Sequence, residues 1–258
     1  MTRWAFSTLG VPGAPLAETV RLAREHGAAG LELRVHPDEE VRLGLDTGER
    51  RRIRALLADA GLEVPCLATY VRICGDAPDR EVLEEARAAI ALARDLGGAA
   101  IRLFPGGVGD GADEDRAVRR LDALAADADA AGVRLLVETH DSHPTGEAVA
   151  RLLAGTGAAA IWDLLHPWRH GESPGATMAA LGDRLAYVQI KDVASPADLT
   201  PIPLGSGAVP LEEAGALLRG SGWRGWVSLE WEKAWHPGAL PLPEALPGAR
   251  AWTERHLP

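Results

Sequence analysis

Four apolar runs in the second half of the chain end on side chains that can hold a cation or move a proton. Val133 to Val137 runs into Glu138, with His140 two residues on. Ala158 to Trp162 runs into Asp163, with His166 three residues on and Trp168 beyond it. The run at Leu185 to Ile190 carries Gln189 and leads into Lys191 and Asp192, and Gly225 to Trp231 carries Glu230, followed by Glu232. A buried strand that ends in a carboxylate with an imidazole nearby can aim both at one point, as a metal or a polar substrate requires. Adjacent strand ends lie about 5 Å apart. Glu138, Asp163, Gln189 and Glu230 can therefore converge on one cation. Three carboxylates in a partly buried pocket repel one another unless positive charge sits among them, and a divalent ion is the economical source. Plainer readings stand beside this one. Glu138 can pair with an arginine, Asp163 can cap the next helix, and Lys191 with Asp192 can form a local salt bridge.

The elements that must position these side chains recur along the chain. Apolar residues at helical spacing over Leu16 to His26, Glu49 to Ala60, Asp79 to Leu96, Asp113 to Ala131, Thr145 to Ala154, Leu211 to Arg219 and Glu244 to His256 predict helices, several ended by glycine; a further short one is expected near Gly175 to Leu181. Short apolar strands alternate with them: Trp4 to Leu9, Ala29 to Arg34, Leu62 to Ala68, Ala99 to Phe104, Val133 to Thr139, Ala158 to Trp162, Leu185 to Ile190 and Gly225 to Trp231. Alternation of this kind implies a parallel sheet. Eight units of roughly thirty residues are the size of a (β/α)₈ TIM barrel, here expected to occupy residues 1–258 as one domain. A doubly wound open sheet more often shows a glycine-rich phosphate turn after its first strand, and "TLGVPGAP" is not one.

In a barrel the active site lies at the C-terminal ends of the strands. That mouth also receives Glu32 and Arg34 from the second strand, Tyr70 and Arg72 from the third, and Arg102 from the fourth.

Bulk composition narrows the class. The 258 residues carry a formal net charge of −10 without a block of Lys or Arg, which argues against a nucleic-acid partner. The two cysteines, Cys66 and Cys74, lack zinc-type spacing and are too few for a disulfide framework, so a reducing, cytoplasmic setting is expected. No run is long enough to span a membrane, and no signal peptide is read at the N-terminus.

With these residues in place, the chain resembles the sugar phosphate isomerase/epimerase family of xylose-isomerase-like barrels. The motifs are "VETHD", "WDLLHP", "VQIKD", "PLGSGAVPLEE" and "SLEWEK", within a likeness that runs from "FSTLG" to "LEWEK". The resemblance implies one divalent metal ion held by Glu138, Asp163, position 189 and Glu230, with Glu138 and Glu230 also acting as the catalytic bases. Position 189 departs from the family pattern, which has His there. Gln189 can offer its carbonyl oxygen, and an all-oxygen site favours Mn²⁺ or Mg²⁺ over Co²⁺ or Zn²⁺; the change can also weaken the site. His140, His166 and Lys191 are expected to orient substrate oxygens. Arg34, Arg72 and Arg102 are expected either to hold a phosphate or carboxylate or to pair with mouth acids. Trp168, Trp231 and Trp235 can stack on sugar faces or pack as lids.

The implied partner is a small-molecule carbohydrate, and a homo-oligomer is compatible with such barrels. The implied chemistry is isomerisation or epimerisation through an enediolate. Dehydration on the same scaffold and a non-catalytic sugar-binding barrel are the alternatives.

Overall fold

The computed structural model describes residues 3–257. Eight parallel strands close into a barrel: β1 (Arg3–Ser7), β2 (Gly30–Arg34), β3 (Leu67–Arg72), β4 (Ala100–Phe104), β5 (Arg134–Glu138), β6 (Ala159–Asp163), β7 (Leu185–Ile190) and β10 (Trp226–Leu229), in the order β1-β10-β7-β6-β5-β4-β3-β2. The antiparallel pair β8 (Val193–Ser195) and β9 (Asp198–Pro201) stands outside the barrel and was not expected from the sequence. The helices are α1 (Leu16–His26), α2 (Thr47–Asp59), α3 (Asp79–Leu96), α4 (Gly111–Ala131), α5 (Gly146–Leu152), α6 (Leu165–Arg169), α7 (Pro174–Leu181), α8 (Leu211–Gly220) and α9 (Leu242–His256).

Local chemistry sets most boundaries. Asp46 opens α2 with a reciprocal capping box to Glu49. Gly97 closes α3 at φ 80°, so that its N–H bonds back to the last turn. The third strand is displaced from its expected position. Residues 62–64 make only isolated bridges, Gly30 to Glu63 and Val64 to Gly98, and the ladder begins at Leu67. Pro65, which has no N–H to give a ladder, lies between.

The period of two decides what points inward. Inside the barrel, Cys66, Ala100, Leu136, Ile161 and Tyr187 pack as an apolar plug. Two residues further along the same strands the inner layer turns polar: Arg102, Glu138, Asp163 and Gln189, joined by Glu32 and Glu230, all buried. The larger core lies between the outer face of the sheet and the helices, and includes Leu33, Leu92, Leu103, Val137 and Trp162. The buried polar layer thus rests on a close-packed floor.

Candidate active site

β5, β6 and the end of β10 each contribute one carboxylate oxygen to a cluster in which Glu138, Asp163 and Glu230 oxygens lie within 4.8 Å of one another. All three side chains are buried. Two fixed cations share their charge. Arg102 Nη1 lies 3.2 Å from both Glu138 Oε2 and Glu230 Oε1, and its Nε and Nη2 donate to Thr69 O. Lys191 Nζ donates to Glu230 Oε2 and to Glu232 Oε1, and stands 2.8 Å from Asp163 Oδ2. Gln189 turns its amide nitrogen to Glu230 Oε1 at 3.1 Å and to both oxygens of Glu32 at 3.3 Å.

The environments push the acids apart. Burial raises the Glu138 carboxyl to about 8 against the pull of Arg102. Burial likewise lifts Asp163 to about 6, opposed by Lys191. Glu230 is as deeply buried, but Lys191 and Arg102 together outweigh that effect and bring it below the usual range. Glu32 is raised by burial and by the neighbouring Glu230. A protonated and an ionised carboxyl side by side are the arrangement that assigns acid and base roles.

The donor set can be tested against a cation. Glu138 Oε2, Asp163 Oδ2 and Gln189 Oε1 are buried and accept no well-aligned hydrogen bond, despite the cations beside two of them. Buried oxygens left this way are rare unless something binds them. Three carboxylates and an amide oxygen match a hard divalent ion, so the residues fit. Any such ion meets Lys191 already resting on two of the same side chains.

A second cluster adjoins the first. One ligand atom each from Glu138, His140 and His166 lie within 4.8 Å of one another. His140 Nδ1 is 2.8 Å from Asp141 Oδ1, which leaves Nε2 as the free ring atom. Asp141 has φ 46°, the only described non-glycine residue with positive φ, and backbone strain of this kind collects at functional sites. Burial first, then the nearby His140 and Lys191, hold His166 well below the ordinary histidine range, so it is a neutral acceptor or donor.

The remaining expected residues divide. Asp163 Oδ1 accepts from Leu165 N, the first residue of α6, at 2.9 Å, while Oδ2 faces the cluster. Asp192 is not paired with Lys191. Its Oδ2 accepts from Gly205 N and Gly207 N, and Oδ1 from Val193 N and Val209 N, tying the "PLGSGAV" loop down. A Cβ at Gly207 would collide with Asp192 Oδ1. Arg34 bonds Glu39 Oε1 and the Tyr70 hydroxyl, both at 2.7 Å. Trp168 is half-buried on α6 against the main core, and Trp231 is buried with its indole N–H on Leu240 O. Glu32 and Glu232 were placed at the mouth from the sequence but given no role there. Asp141 was not singled out, and carried no signal beyond lying near a strand end.

The model of the family described as xylose isomerase-like TIM barrel matches residues 20–256. The chain belongs to that family. Within the xylose isomerase-like barrels it is similar to a Streptomyces coelicolor protein named "Putative hydroxypyruvate isomerase", at 31% identity over 80% of this chain and 82% of that one. Among solved structures, the IOLI protein with a binding zinc atom superposes with a TM-score of 0.83 at 17% identity, covering 99% of this chain and 98% of that one. D-psicose 3-epimerase in the presence of D-fructose superposes at 0.82 and 17% identity, covering 99% of both. At such identities the structural likeness establishes the fold.

Proposed function

We propose that this chain is a divalent-metal-dependent isomerase or epimerase of a sugar, sugar phosphate or related polyol-ketone. The observation that carries the reading is the convergence of Glu138, Asp163 and Glu230 from three strands on one buried point, with hydrogen-bonding capacity left open. The isomerase name of the Streptomyces relative and the epimerase among the structural neighbours support it. Glu138, Asp163, Gln189 and Glu230 would hold the ion, Mn²⁺ or Mg²⁺ by the hardness of the four oxygens. When bound, it supplies polarisation of a carbonyl oxygen and acidifies the adjacent C–H.

The chain's own residues handle the proton. Glu230, kept ionised by Lys191 and Arg102, accepts a proton from carbon. Glu138, on the other side of Arg102, is the partner that returns one. Return to the neighbouring carbon isomerises the substrate, and return to the opposite face epimerises it. Arg102 touches both carboxylates, so a change of charge on one is felt by the other. His140, His166 and Lys191 orient substrate oxygens. Lys191 also favours a second reading: an ammonium beside the same carboxylates can protonate a leaving β-hydroxyl, which is dehydration.

Small ketoses, inososes and sugar acids, supplied with Mn²⁺, Mg²⁺ or Co²⁺ in D₂O, test the proposal. Deuterium at the carbon next to the carbonyl is expected in the product, and loss of water marks the dehydratase. Full exchange by both Glu138→Gln and Glu230→Gln would remove these residues from the mechanism. A purified protein that holds no metal and exchanges no substrate would be a sugar-binding barrel instead.

A further inference from the structure

Glu32, on β2, is a fully buried acid with no task in the proton transfer. Among the described residues, the carboxylates close enough to share an ion are Glu138, Asp163 and Glu230, without Glu32. Its contact is with Gln189 instead, 157 residues away, whose Nε2 lies 3.3 Å from both Glu32 oxygens. The strand order puts β1 and β10 between β2 and β7. The residues of those two strands in register with Gln189 are Ala5 and Ser228, both small, which leaves glutamate and glutamine room to meet across them.

That contact selects which end of the amide is used. A primary amide has two N–H donors at one end and a carbonyl acceptor at the other, and a carboxyl keeps an accepting oxygen in either protonation state. Gln189 Nε2 faces Glu32 and also Glu230 Oε1, at 3.1 Å, so both of its N–H groups are committed. Turning the amide over would set its carbonyl oxygen against those carboxyl oxygens, at a high cost in a buried site. Oε1 is therefore held at the opposite end, buried and without a hydrogen-bond partner. Glu230 is the weaker of the two anchors, because its carboxylate is shared with Arg102 and Lys191 and belongs to the three-carboxylate cluster.

We infer that Glu32 is a positioning residue: it holds the Gln189 amide by its nitrogen and so makes the carbonyl oxygen the atom offered to a divalent cation. The inference rests on the proposed function for the cation itself. An outer partner of this kind fixes the orientation of a ligand and raises its basicity, which an uncharged amide among carboxylates needs more than they do.

Calorimetric titration of the full chain with MnCl₂ tests this. Glu32→Gln, whose own amide donates as readily as it accepts, is expected to weaken Mn²⁺ binding about 10–100-fold. Glu32→Asp keeps the carboxyl group but shortens its reach, and is expected to weaken binding by about fivefold or more. It keeps the test valid if Glu32→Gln does not fold. In a Gln189→Leu background no amide is left to orient, and either change at position 32 is expected to alter the affinity by less than about twofold. Losses as large in that background as in the wild type would show that Glu32 acts through its charge alone. That result, or unchanged affinity in both single variants, would overturn the positioning role and leave the proposed function standing. A wild-type protein that binds none of Mn²⁺, Mg²⁺ and Co²⁺ would overturn the proposed function and this inference together.

Discussion

The two halves of the barrel mouth are built on different physics. On the side of β5, β6, β7 and β10, charge is concentrated and buried: Glu138, Asp163, Glu230 and Lys191 are each almost fully covered, and their partners are one another. On the side of β2 to β4, the side chains are largely aromatic, and two of the cations are already engaged. Arg34 is held by Glu39 and lies over Tyr70 and Trp235, and Arg102 leans across Phe104 to reach the acids. Under the proposed function, the first half is the one that would exchange a proton with a substrate. Burial is what separates them, because a charge taken from water must find a partner or change its protonation state.

That contrast can be broken from the acid side first. Glu230→Gln removes the carboxylate held ionised by two cations. Exchange of deuterium into substrate is expected to fall by about 10²–10⁴-fold, measured by mass spectrometry or NMR of the product.

Lys191→Met is next. The variant leaves Asp163 and Glu230 short of a buried partner, and breaking such pairs costs about 3–5 kcal/mol. A fall in Tm of the metal-free protein of roughly 6–20 °C follows, at about 2–4 °C per kcal/mol for chains of this size. Added Mn²⁺ is expected to recover most of that fall, and calorimetric titration should show Mn²⁺ binding about tenfold tighter than in the wild type, equivalent to about 1.4 kcal/mol. Unchanged affinity would mean that Lys191 and the ion do not compete.

On the aromatic side, Arg34→Met leaves the buried Glu39 carboxylate without its ion pair. We expect a loss of about 3 kcal/mol in urea unfolding, recovered in the double variant Arg34→Met/Glu39→Met, where no charge is stranded.

The smallest effect concerns pH. Asp113, at the start of α4, accepts from the Gly109 and Val108 amides and pairs with Arg116, which hold its carboxyl below the usual range. A depressed folded pKa contributes stability above the unfolded value of about 3.9 and loses it as pH falls through the folded value. Between pH 5 and 2, Asp113→Asn should therefore lose less Tm than the wild type does. A parallel fall in both would show that this carboxylate does not couple to folding.

Much of this molecule was readable in one dimension. The apolar run in "VRLLVET" ended at Glu138, which set a carboxylate at the last buried position of a strand. Gly97 ended α3 where the apolar spacing stopped, since only glycine takes that φ without strain. The rhythm of strand and helix indicated the barrel, and the barrel placed the acids at one end.

Three dimensions decided the rest. No pattern in the chain says that Arg102 bridges Glu138 and Glu230, 128 residues apart from the latter, or that Gln189 gives its nitrogen to Glu32. Nor does it say that Lys191 turns from Asp192, its neighbour, to carboxylates on other strands. Those choices depend on which inward side chains share a layer once the barrel closes. Local sequence determined the direction in which each residue points; closure of the barrel determined what it meets. Charge pairing is set by distances across the barrel, which no spacing along the strand encodes.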